Sequence, residues 1–531
     1  MTNRTNLWAA AKGFMAVGLW MGMFLAGWLT GTDFVCAADV AAAPSPAPSP
    51  GIVFRAGFAE RDITPEIGME QPGGYIKAYH KSFHDPCKVR AAVFDDGKKR
   101  VALVGLDALI LREPSVAAAR SGIQKRCGIP PEAVMIAASH SHSSGPTGMV
   151  LPGEYDHASE LVKKLAYELS SCADPKYLAK VEEAIVEAVC TADAAKVEAE
   201  CSFGRGMENQ VAFNRRFRMK NGRTHTHPGQ GNPDIICPAG PTDPEVGVIG
   251  AWDKQGKLLG CIVNFACHAT TNPGGISANY IYYLEMAIRG MFGQHVVVVF
   301  MPGACGDVTQ VDNLSPYAHP KAEQWARMVG GRVGAEAVKV LVSAEPGSQV
   351  PLDYANTVLE FKRRVPRPER VKAALEIVQK DPKEVGHTEW VFAKEIVLLD
   401  AKLAKEPTVK AEVQAIQVGP VVLIGTPAEY FCQFGLDIKA ASPFPITFPV
   451  MLANGCVGYV PTEEALSPTG GGYETRLTSY SNLEPAAGRK MAEAGVELAR
   501  KMKPGTLPTR PPHPPFQGTG WSYGNVPAEL D

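Results

Sequence analysis

The 531-residue sequence has no CxxC pair among its 12 cysteines, which argues against a cysteine zinc site or a thioredoxin-type redox motif. It has no basic excess either. The 53 basic residues meet 55 acidic ones for a net charge of -2, so no nucleic-acid partner is expected. Beyond the N-terminus no run is long and apolar enough to span a bilayer. No repeat of about 20–50 residues marks a solenoid or propeller. What is present is ordinary: 45% hydrophobic and 20% charged residues, enough for a sizeable core. The length allows about two to four domains, or one large α/β unit.

Arg4 and Lys12 precede an uncharged stretch over residues 13–32, and "DFVCAADV" after it offers small residues for cleavage near Ala37 or Ala38. Residues 1–38 therefore read as a signal peptide, or as an uncleaved membrane anchor. Either way the body is expected to be exported, periplasmic or extracellular. An anchor would tether it to a membrane surface. Residues 39–52 read as a Pro/Ser-rich linker, 53–503 as the folded body, and 504–531 as a Pro-rich tail that wraps the surface or is mobile. Export permits disulfides. The 11 cysteines beyond Cys36 are scattered and odd in number, and read as buried small hydrophobes with one or two bridges.

Short β-branched runs alternate with helical stretches through the body. Strands are expected at 100–106, 133–138, 258–266, 295–301, 421–425 and 448–454, and helices at 115–126, 175–191, 321–343, 371–379, 389–403 and 486–503. Residues 355–405 read as a helical insertion, a lid or subdomain. The pattern predicts an α/β fold of mixed α and β layers, with layered β-sheets flanked by helices. Its site belongs at the carboxyl ends of strands, where such sheets bind ligands.

Those strand ends carry the chemistry. They run into Asp107, into His140 and His142 of "IAASHSHSSGPTG", into Cys267-His268, into Asp307 and Thr309, and into Glu429 and Tyr459. In extended chain, residues i and i+2 share a face. His140 and His142 can then enter one cavity, both on a metal or one on a metal and one on substrate. A hydrated loop after a strand is the plain alternative for this pair. A hydrogen-bonded core histidine is the plain reading of His268, and a carboxylate in a first helical turn that of Glu429. Taken together, two or three histidines and a carboxylate form the ligand set of a catalytic zinc with an open position. His225 and His227, in "NGRTHTHPGQGNP" with no strand behind them, read as a solvated loop.

In order along the chain, "GFAERDITP", "GGY", "SHSHSSGPTG", "FNRR", "NFACHATT", "CGDVT", "GTPAEY", "GYVPTEEA" and "YET" resemble the motifs of the neutral (non-lysosomal) ceramidases. The resemblance covers residues 55–478. It implies a zinc-dependent amidohydrolase with one Zn2+ per chain, bound by His140, His268, Glu429 and Tyr459. His142, Arg215 and Tyr473 would face the substrate carbonyl. The implied substrate is an N-acyl lipid such as ceramide, cleaved to sphingoid base and fatty acid, or a related amide. Three departures stand out. Thr309 replaces a serine that the family has been proposed to use as a nucleophile. "SHSHSSGP" carries an additional serine. The family's C-terminal immunoglobulin-like domain is not expected after residue 503. Water activated by a metal needs no serine; Thr309 stays a candidate catalytic nucleophile, a poorer one because no base is identified for it. Two other readings stay open: a phospho- or sulfoesterase with Asp62, Asp107 and Asp307 around two metals, and a non-catalytic, membrane-tethered binding protein.

Overall fold

The computed structural model describes residues 53–531 apart from Thr519, Ser522 and Asn525. The signal or anchor segment 1–38 and the linker 39–52 lie outside the described residues. Among these residues, no helix is long and apolar enough to cross a membrane.

The β-branched runs become strands because pairing them buries both faces. An eight-stranded sheet runs in the order Val297–Pro302, Leu258–Phe265, Glu245–Asp253, Val197–Met207, Arg55–Asp62, Lys88–Asp95, Arg100–Leu106 and Val134–Ala138. The pair at each end is parallel and the inner pairs are antiparallel. The two ends approach each other. At Gly105 an added Cβ would lie 2.5 Å from the carbonyl oxygen of Phe300, so only glycine permits that contact. This packing brings the ends of 134–138, 258–265 and 297–302 into one region.

A second sheet is ordered Leu352–Lys362, Thr408–Val418, Val421–Gly425, Ile446–Val450. It is stitched to the first by Asn454, which is buried and has a φ of 60°. Its side-chain oxygen accepts from the N–H of Ile136 (3.0 Å), its N–H donates to the Ile136 carbonyl (2.7 Å), and its side-chain nitrogen donates to Gln414 (2.7 Å).

The insertion at 355–405 is only partly helical. Leu352–Lys362 is a strand paired antiparallel along its whole length with Thr408–Val418. Tyr354, Thr357, Val358 and Phe361 favour a strand, and the cross-strand pairing outweighs its Ala, Leu, Glu and Lys residues. The helices are Pro368–Ile377, Pro382–Val385 and His387–Lys405. Trp390, Val391 and Leu398 pack with Val150, Tyr155 and Leu165 in an apolar cluster separate from the main core. Two further helices, Tyr280–Phe292 and Cys432–Ala441, were not legible from periodicity. The first is rich in Tyr and Ile, a strand-like composition.

All 11 described cysteines are free, so the expected one or two bridges are not found among the described residues. Seven are buried as small apolar residues. The Pro-rich tail begins by lying along the body, where the N–H of Gly505 donates to the Gly419 carbonyl (3.0 Å) and Arg510 to that of Ser343 (3.3 Å).

Candidate metal centre

His140 follows the strand Val134–Ala138 and His268 follows Leu258–Phe265. Glu429 and Tyr459 sit side by side as register partners in a short parallel pair. These four chain segments meet at one point. His140 Nε2 and His268 Nε2 each lie 3.2 Å from Glu429 Oε2. His142 Nε2 lies 3.3 Å from His140 Nε2. The three histidines present ligand atoms all within 4.8 Å of one another.

The convergence of His140 and His142 has a different cause from the extended-chain alternation. His140 has a φ of 64°, in the left-handed region that a non-glycine residue adopts only under constraint. The chain kinks there, and the kink brings the two rings together edge to face.

Both rings of the His140–His268 pair are fixed from behind. Nδ1 of His140 donates to the Leu109 carbonyl (3.0 Å), and Nδ1 of His268 to the carbonyls of Cys305 (2.6 Å) and Val308 (3.1 Å). A carbonyl only accepts, so the proton resides on Nδ1 and the Nε2 lone pairs point inward. Two Nε2 lone pairs and a carboxylate oxygen are then three acceptors facing one another. A cation between them satisfies all three. Two atoms bound tetrahedrally to one zinc at about 2.0–2.1 Å lie about 3.3–3.4 Å apart, which the 3.2 Å spacings match. The residues fit a metal ion.

The electrostatics favour an ionised Glu429 and neutral His268 and His142. Burial pushes the Glu429 carboxyl up, but His140 and His268 more than reverse this and hold it well below its ordinary value. Burial, with Arg215 and His140 nearby, lowers His268 to about 4. Burial next to His140 and His268 holds His142 well below the ordinary imidazole value. Tyr459 is pushed up by burial and by Glu429, with Arg215 opposing.

Arg215 is clamped. Its Nε donates to Glu474 (2.6 Å), and one terminal nitrogen donates to the Gly306 carbonyl (2.8 Å) and to the Tyr459 hydroxyl (3.1 Å). Tyr473 stands at the rim, 37% exposed, with its ring 5.7 Å from that of Tyr459. Tyr75 and Phe392 of the helix His387–Lys405 complete an aromatic group with it.

No protein-family profile matches the chain. A neutral ceramidase from Pseudomonas aeruginosa is 25% identical over 343 residues, 61% of this chain and 47% of that protein. The match thus spans about half of the relative's length. The crystal structure of neutral ceramidase from Pseudomonas aeruginosa superposes with a TM-score of 0.62 at 20% identity, over 87% of this chain and 77% of that one. A ceramidase complexed with C2 gives 0.61 at 19% identity, over 86% and 78%. The chain has the neutral ceramidase fold. The sequence match supports the same family.

Within this neutral ceramidase fold, His140, His142, His268, Glu429, Tyr459, Arg215 and Tyr473 share one neighbourhood. Thr309 is buried, and its hydroxyl oxygen accepts from the N–H of Val311 (3.3 Å). The aspartates of the two-metal reading are engaged elsewhere. Asp107 accepts from Arg90 (2.8 Å) and the Lys88 N–H (2.8 Å), Asp307 from Asn214 (2.8 Å) and the Cys432 N–H (2.8 Å), and exposed Asp62 from the Thr64 N–H (2.9 Å). His225 is exposed and lies in a short strand, Thr224–Thr226, rather than a loop. The N–H of the equally exposed His227 donates to the Arg215 carbonyl (2.8 Å).

Sequence reasoning missed Tyr480, whose hydroxyl donates to Glu429 Oε1 (2.7 Å) and so orients the carboxylate. It sits in the irregular segment "TSYSNLE", and no strand or spacing flags it. Glu474, the partner of Arg215, was visible only as the middle of "YET".

Proposed function

We propose that this chain is a zinc-dependent hydrolase that cleaves the amide bond of an N-acyl lipid of ceramide type, releasing a fatty acid and a sphingoid base. The supporting observation is the set of three acceptors, two imidazole Nε2 atoms and Glu429 Oε2, spaced at 3.2 Å in a chain with the neutral ceramidase fold. With the Tyr459 phenol as a fourth donor, His140, His268 and Glu429 make a set suited to zinc. Zinc bound there supplies Lewis acidity, which acidifies a water and polarises a carbonyl.

The chain's own residues divide the remaining work. Arg215 cannot swing away, because Glu474 and the Gly306 carbonyl hold it. It presents a fixed cation to negative charge growing on the carbonyl oxygen. His142 is half-buried beside the acceptor set, in position to take a proton from water and pass it to the leaving amine. Tyr473, Tyr75 and Phe392 offer an aromatic surface to a hydrocarbon chain. Hydrolysis by this route forms no covalent bond to the protein, so Thr309 is given no nucleophilic role.

The proposal includes export. Arg4 and Lys12 ahead of the uncharged stretch 13–32 support it, and an uncleaved anchor would hold the enzyme at a membrane surface, where its lipid substrate resides. The test is an assay of zinc-loaded protein on a panel of N-acyl amides including ceramide, with fatty acid release as the readout. Ceramide turnover is the expected result. Turnover of phosphate or sulfate esters alone would replace the proposal with the esterase reading. Binding of ceramide without turnover of any member would replace it with the binding-protein reading.

A further inference from the structure

A cavity of about 40 Å³ lies between the helix His387–Lys405 and the segment 456–458, bounded among others by Arg112, Arg363, Lys402, Glu395, Tyr155 and Tyr480. That volume holds about one to three waters. Its charges do not cancel. Lys402 (2.7 Å) and Arg112 (3.4 Å) share a single oxygen of Glu154. Glu395 is already neutralised by buried Lys394 at 2.7 Å. Arg363 is buried and donates to the Asn482 side chain (2.8 Å) and the Glu406 carbonyl (3.0 Å). Its nearest carboxylate is that of Glu406, 3.8 Å away with a side chain 43% exposed. The three cations Arg112, Lys402 and Arg363 therefore face two carboxylates, Glu154 and Glu406, which leaves one positive charge over.

No other wall residue carries the missing negative charge. Burial pushes the Cys456 thiol up to about 11 and the Tyr155 phenol well above its ordinary value, so both are neutral. A buried cation without a counter-charge is costly; burial lowers the Lys402 ammonium against the pull of Glu154, whereas arginine does not deprotonate to escape the cost. Arg112, Val409, Cys456 and Val457 also line a surface cleft of about 740 Å³, which offers an approach from solvent.

We propose that this cavity is a binding site for a compact monovalent anion of halide size. It is distinct from the histidine cluster. Tyr480 bounds the cavity and also donates to Glu429, so the anion would sit one side chain from that carboxylate.

The test uses the full chain in sodium bromide and in sodium gluconate at equal ionic strength. The expected result is a saturable rise in melting midpoint with bromide and none with gluconate. Crystals grown in bromide should show an anomalous bromine peak beside Arg363. Arg363→Gln should lose the bromide-dependent rise. Should that variant not fold, the bromine peak in the wild-type cavity decides alone. Equal midpoints in the two salts, only water in the cavity, or an undiminished bromide effect in Arg363→Gln would each overturn the proposal.

Discussion

At the scale of single residues, the candidate centre depends on groups that hold other groups in place. Tyr480 fixes the free oxygen of Glu429 through one hydrogen bond of 2.7 Å. Tyr480→Phe removes that bond and keeps the ring. Loss of such an orienting partner typically costs about 10- to 100-fold in metal affinity or activity. Zinc titration of the variant should show that loss, with a melting curve close to wild type. Arg215 makes a sharper case. Lysine keeps the charge and cannot satisfy Glu474, the Gly306 carbonyl and the Tyr459 hydroxyl together. Arg215→Lys should lower kcat by about 100-fold, the scale of one lost oxyanion donor, with KM changed far less. An equal rise in KM would mean that Arg215 binds the ground state instead. These two residues also mark the limit of reading a site from sequence. Arg215 stood in the "FNRR" motif. Tyr480 lies in irregular chain, and only the tertiary fold brings it to Glu429.

Among the elements, the join between the two sheets rests on Asn454. Asn454→Ala leaves the Ile136 N–H and the Gln414 side-chain oxygen without partners in the core. It also puts alanine at a φ of 60°, which Asn tolerates better. Unsatisfied buried groups cost about 1–3 kcal/mol each. Denaturant unfolding should therefore show a loss of about 3 kcal/mol. The helical unit is tied down differently, by Glu154 reaching Lys402 and Arg112. Burial raises the Glu154 carboxyl, and the two cations overcome that and bring it down to about 2 from an ordinary 4.5. A carboxyl depressed on folding adds stability above its unfolded pKa, lost as pH falls towards the folded value. Stability should thus drop between about pH 4.5 and 2, and Glu154→Gln should flatten that part of the profile. Unchanged slopes in the two proteins would contradict the pairing. Strands 100–106 and 421–425 were legible to the residue because β-branched runs buried on both faces carry their own signal. Leu352–Lys362 was not, since its composition is mixed, with Tyr, Thr, Val and Phe among Ala, Leu, Glu and Lys, and its strand state comes from pairing with residues 408–418. The helix Tyr280–Phe292 failed in the opposite sense, strand-like in composition and helical by packing against Ala322–Ser343.

For the molecule as a whole, the approach of the two ends of the eight-stranded sheet is what turns scattered strand ends into one site. His140 and His268 are 128 residues apart in sequence, yet each lies 3.2 Å from the same oxygen of Glu429. The sequence could place both histidines at strand ends, because that is a local property. It could not show that the ends meet, nor that a left-handed kink at His140 aligns its ring. The central claim is that the convergent set holds one zinc and that hydrolysis requires it. Metal analysis of the purified protein, paired with N-acyl amide hydrolysis before and after chelation, tests it most directly. The account predicts one zinc per chain, activity abolished by the chelator and restored by zinc. Full activity in metal-free protein would contradict it.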